Sequence, residues 1–118
     1  MKPSLVKDKS YAFALRTIAL AKRLKAQKEF EIAGQVLRSG TAIGSNVEEA
    51  LAGVSRADFI AKMSIASKEA RETHYWLRLL RDSQIVPESK ISPLADESLE
   101  LVRMLIAIVK TSQTGEAN

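Results

Sequence analysis

At 118 residues, with 46% apolar and 27% charged composition, the chain reads as a single soluble domain over residues 1–118, long enough to build a core without staples. It has no cysteine, which excludes disulfide and thiolate chemistry and fits a reducing cytoplasm; its longest apolar run, Met104 to Val109, is far too short for a membrane span, and its start lacks the apolar segment of a signal peptide. The net charge of +4 is uneven: residues 1–28 hold eight Lys or Arg against one Asp, an asymmetry that points to a polyanion partner.

Four segments with helical periodicity follow, and none shows strand alternation. The spacing predicts helices over about residues 7–26, 31–52, 56–82 and 93–112. In the first, Tyr11, Leu15 and Ile18 share one face and Phe13, Leu20 and Leu24 a neighbouring one, with Lys9, Arg16 and Arg23 as a basic ridge spaced by sevens. In the second, Val36, Ile43 and Ala50 repeat by seven, as do Gly40, Val47 and Val54, and Leu37, Gly44 and Leu51. Gly40 and Gly44 cost roughly 1 kcal/mol each against alanine inside a helix, so they predict a close helix–helix approach.

The third helix opens on Ser55 as N-cap, with Asp58 three residues on. Phe59, Met63, Ala66, Ala70, Thr73, Leu77 and Leu80 form its core stripe. Ile65, Glu69, Glu72, Trp76 and Leu79 lie on the opposite side, a second stripe that a simple bundle does not need and that predicts contact with another copy. The fourth helix is read as starting at Ser92 as N-cap with Pro93 in the first helical position. Its stripe is Leu94, Leu101, Leu105 and Ile108, widened by Val102, Ile106 and Val109, and Gly115 ends it. Four helices joined by short turns make an antiparallel up-and-down bundle, all-α, the economical fold.

The chemistry-bearing inventory is thin. His74 is the single histidine and reads as structural. No Glu-x-x-His pair suggests a di-metal centre, no G-x-S-x-G elbow surrounds a serine, and Gly40 to Gly44 lies in a helical pattern with no Gly-Lys-Ser/Thr. A carboxylate metal centre built on Glu48, Glu49, Glu69 and Glu72 is the weakest reading. The expectation is no enzyme, no catalytic residue, no metal and no cofactor. The candidate nucleic-acid contacts are Lys9, Arg16, Lys22, Arg23, Lys25 and Lys28 on the first helix, Arg38 on the second, and Lys68, Arg71 and Arg78 on the third. They suit phosphates and imply no sequence-specific readout. Lys68 and Glu72, one turn apart, are the plain ion-pair alternative for part of that set.

The stretch Gln35 to Leu80 carries Arg38-Ser39-Gly40-Thr41 with Ile43 and Asn46, then Glu49-Ala50, then Asp58-Phe59-Ile60 through Lys68-Glu69-Ala70 to Tyr75-Trp76-Leu77. In this it resembles the bacterial four helix bundle protein family, which includes proteins encoded in intervening sequences of 23S ribosomal RNA genes and labelled S23 ribosomal proteins. Ala42 departs from the pattern, where relatives often carry serine. The resemblance implies an up-and-down bundle assembled into a ring, a homopentamer, with a poorly defined activity. It also implies a basic accessory that binds RNA or DNA or docks a partner such as a reverse transcriptase. Arg38, Asn46, Glu49, Lys62, Lys68, Glu69, Glu72 and Trp76 are the motif positions a core does not require. The leading expectation is a non-enzymatic homo-oligomer that binds nucleic-acid backbone; a protein-interaction scaffold is the alternative.

Overall fold

The computed structural model describes residues 3–115, with side chains from residue 5. Lys2, counted in the basic total, and the tail after Gly115 lie outside them. The helices are α1 (Pro3–Ala26), α2 (Phe30–Leu51), α3 (Arg56–Asp82) and α4 (Glu88–Thr114), with no strand among the described residues. Each packs against its neighbour in sequence and α1 closes against α4, more briefly than the other pairs. The result is an up-and-down bundle of 46 × 21 × 18 Å.

The heptads of α2 and α3 form the centre of the core. Val36, Ile43, Val47 and Ala50 are buried, as are Met63, Ala66, Ala70, Leu77 and Leu80, with Phe59 packed at the edge. Phe13, Leu20 and Leu24 complete the core from α1, and Leu94, Leu101, Leu105 and Ile108 from α4. Buried hydroxyls turn back onto their own helices: Thr17 Oγ1 donates to the Phe13 carbonyl at 2.9 Å, and Thr73 and Ser98 make equivalent bonds at 2.8 Å. The α1–α2 crossing is where the glycines act. A Cβ on Gly40 would overlap Thr17 Cγ2 and lie 2.7 Å from Thr17 Oγ1, while one on Gly44 would touch the Ser10 carbonyl oxygen at 3.4 Å.

Ser55 caps α3, accepting from the Asp58 amide at 3.0 Å, and Gly115 ends α4 in the left-handed region at φ 74°. Three expectations are corrected. Val54 lies beyond α2, in the turn, and is 99% exposed, so it takes no part in the heptad of Gly40 and Val47. Helix α1 starts at Pro3, about a turn before residue 7. Helix α4 starts at Glu88, which makes Pro93 an interior residue and Pro87 the N-cap. Its early start has a packing cause. Val86 and Ile91, both buried, flank the N-cap at the positions of a hydrophobic staple, and the amides of Lys90 and Ile91 both donate to the Pro87 carbonyl. Proline's missing N–H deprives only the carbonyl of Ser89, an exposed residue that water can reach.

Candidate nucleic-acid interface

The outer surface of α3 divides into two strips. Ser64, Lys68, Arg71, Tyr75 and Arg78 recur at steps of three and four along one outer strip; all five are exposed. Lys68 and Arg71 line a groove of about 350 Å³ with Ser64, Ser67 and, from α4, Ile106, Val109, Lys110 and Gln113. Arg103 is exposed one heptad before Lys110, on the same side of α4. Lys68, Arg71, Arg78, Arg103 and Lys110 form no ion pair among the described residues. Arg78 sits over the Tyr75 ring, 5.8 Å from its centroid, and Tyr75 meets Trp76 edge-on at 5.3 Å.

The strip of α3 toward α2 is of a different kind. Arg38 reaches across from α2 to both Glu69, at 3.3 Å, and Glu72. Glu72 also accepts from the Trp76 indole N–H at 3.0 Å, so these four side chains form one network inside the subunit. Ile65 and Leu79 beside it remain exposed. Lys62 approaches Glu49 at 3.9 Å across the same pair of helices.

The cations of α1 separate into two groups. Lys9 pairs with Glu100 at 3.0 Å and Arg16 pairs with Glu97, both on α4, so the start of the basic ridge is taken up in closing the bundle. Arg23 lies further along the α1–α4 groove, beside Lys90. Lys22 and Lys25 flank a groove between α1 and α2 floored by Ile18, Ala21 and Leu37. Lys28 stands in the turn after α1 with φ 65°. On the outward face of α1, Tyr11 and Leu15 are 60% and 54% exposed, and Ile18 is also exposed.

The structure thus brings Lys68 and Arg71 together with Lys110 and Arg103, two residues the sequence reading omitted. Their heptad spacing on α4 was the available signal. It leaves Arg38, Lys9 and Arg16 in ion pairs, and it does not gather the α1 cations with those of α3. His74 is half-buried, and its pKa is lowered from 6.5 by burial first and then by Arg78 and Arg81, against the opposing pull of Asp96. Among the described residues no three His, Cys, Asp or Glu side chains converge as metal ligands, and no helix is long and apolar enough to cross a membrane.

These features define a small antiparallel four-helix bundle whose polar chemistry lies on its outer faces. Residues 2–107 match the 23S rRNA-intervening sequence protein family, and the chain belongs to that family. It is also similar to a crystal structure of a protein with unknown function from the S23 ribosomal protein family of Bacteroides thetaiotaomicron VPI-5482. The TM-score is 0.89 at 48% identity, covering 94% of this chain and 100% of that one. No curated protein matches the chain.

Proposed function

We propose that this protein is a non-enzymatic, cytoplasmic homo-oligomer that binds nucleic acid through the phosphate backbone, and that the α3/α4 face is where it does so. The observation that carries the reading is the set of five cations, Lys68, Arg71, Arg78, Arg103 and Lys110, none paired among the described residues, on two adjacent helices. Lys68 to Arg78 spans ten residues, about 15 Å of helix, so several phosphates fall within reach of one subunit. The non-enzymatic part rests on the inventory of one histidine and no cysteine.

Assembly is supported by two unlike apolar patches. Tyr11, Leu15 and Ile18 on α1 form one, and Ile65 and Leu79 on α3 the other. Unlike patches pair head to tail, and such contacts build a ring when the rotation closes. Five subunits is the number the family resemblance implies. A ring repeats the α3/α4 face, so a weak site gains affinity through multivalency.

The test is a salt series on nuclease-treated protein with RNA and DNA, comparing the wild type with the triple variant Lys68→Glu, Arg71→Glu, Lys110→Glu. The variant should bind far more weakly, and its log–log salt slope on single strands should shrink by about 2, from roughly 0.7 per lost phosphate contact. Absence of wild-type binding at low salt, with a stoichiometric protein partner captured after nuclease treatment, would overturn this reading in favour of a scaffold.

A further inference from the structure

Resting on the reading above, we infer that the α3/α4 face is built for single-stranded nucleic acid, with Tyr75 as a stacking platform for an unpaired base. Tyr75 lies in the same α3 strip as the cations, one turn after Arg71 and one before Arg78. The residue is 48% exposed although aromatic. Trp76 meets it edge-on at an interplanar angle of 64°, and the Arg78 guanidinium lies over it. The indole is in turn anchored by its hydrogen bond to Glu72. The indole, fixed by Glu72, therefore holds the ring from the side, while the Arg78 guanidinium lies over it, so π surface and positive charge meet at one place. Bases stack on both aromatic rings and arginine planes.

The adjoining groove has the matching composition. Its apolar residues Ile106 and Val109 lie among Lys68, Arg71 and Lys110, with Ser64, Ser67 and Gln113 as hydrogen-bonding groups. Cations on both helices set phosphates above a surface that is apolar and carries a few donors and acceptors, which suits an exposed base. A duplex makes poor use of it. Two helices side by side, each about 10 Å across, exceed the roughly 12 Å width of the B-DNA major groove, so base edges stay out of reach. A duplex then meets only the cations, and Tyr75, Ile106 and Val109 stay idle. Single strands bring phosphates and base faces together.

The experiment compares short fluorescent oligouridylate and oligothymidylate with a matched duplex, by anisotropy at fixed salt, on the full-length oligomer. The wild type should prefer the single strands. Tyr75→Leu, which keeps an apolar side chain and removes the π face, should weaken single-strand binding about tenfold, leaving its salt slope and the duplex affinity unchanged; Tyr75→Phe should retain wild-type affinity. Circular dichroism and light scattering confirm that each variant keeps its fold and mass. Equal binding of single strand and duplex, with Tyr75→Leu silent, overturns the inference and leaves phosphate binding standing. No binding of any nucleic acid at low salt overturns both.

Discussion

Gly40→Ala offers the sharpest test of the packing that holds α1 against α2. Glycine to alanine inside a helix gains about 1 kcal/mol from propensity alone. Gly34 in the same helix isolates that gain, because a Cβ there meets nothing within 4 Å. At Gly40 the same methyl overlaps Thr17 Cγ2 and lies 2.7 Å from Oγ1 and 3.0 Å from Cβ. Thr17 has little freedom to give way: it is 2% exposed, β-branched, and bonded through Oγ1 to the Phe13 carbonyl. Overpacking of this kind costs about 1–3 kcal/mol. Gly34→Ala should therefore stabilise by about 1 kcal/mol, and Gly40→Ala should fall about 1–3 kcal/mol below it. With about 4 °C per kcal/mol for a domain of this size, thermal denaturation by circular dichroism at matched protein concentration resolves the two. Thr17→Ala removes the two crowding atoms beyond Cβ, so the double variant with Gly40→Ala should show a favourable coupling of the same order. If Gly40→Ala raises the melting temperature as much as Gly34→Ala, the close crossing at Thr17 is wrong.

Ser55→Ala should cost about 1 kcal/mol in urea denaturation, since the Asp58 amide loses its acceptor. His74 titrates below 6.5 in the fold, chiefly through burial. As pH falls through that value the unfolded chain takes up the proton first, so stability present at neutral pH is lost on acidification. His74→Gln should flatten this loss between about pH 7 and 5, and an unchanged slope would assign it to other groups. Leu15→Glu and Leu79→Glu should each dissociate the oligomer, and an equimolar mixture should recover dimers only, because each pair retains one intact contact between unlike patches. Native mass spectrometry reads this directly; full-size rings from the mixture would contradict the head-to-tail arrangement.

The four helices and most of the core were legible because Val36, Ile43 and Ala50, and Met63, Ala70 and Leu77, keep their period over several turns. The start of α4 was not. Ser92-Pro93 imitates a helix beginning, and only the burial of Val86 and Ile91, a tertiary effect, reveals the earlier one. The partners of the basic ridge were illegible for a related reason. Sequence shows the charge of Lys9 and Arg16 but not Glu100 and Glu97, which lie 91 and 81 residues away. The same blindness hid Arg103 and Lys110. Residues 85–118 hold three Lys or Arg against five Asp or Glu, so the segment reads as acidic. In the fold Glu97 and Glu100 meet α1 while Lys110 lines the α3 groove, and charges that cancel along the chain separate by face.

The seam between α1 and α4 also bears on how the chain folds. Every other helix pair in the bundle joins neighbours in sequence, through turns of a few residues, so most native contacts form by short loop closures. Such a topology has low contact order and belongs with domains that fold in microseconds to milliseconds. Only the α1–α4 packing, Leu20 beside Leu94 with the Lys9–Glu100 and Arg16–Glu97 pairs outside it, must wait for the two ends of the chain to meet. The surface ion pairs add little to that meeting, about 0–1 kcal/mol each, and the seam is the briefest of the helix contacts. The helical hairpins should therefore consolidate first and the seam last, and substitutions at Glu97 or Glu100 should speed unfolding while leaving the folding rate unchanged.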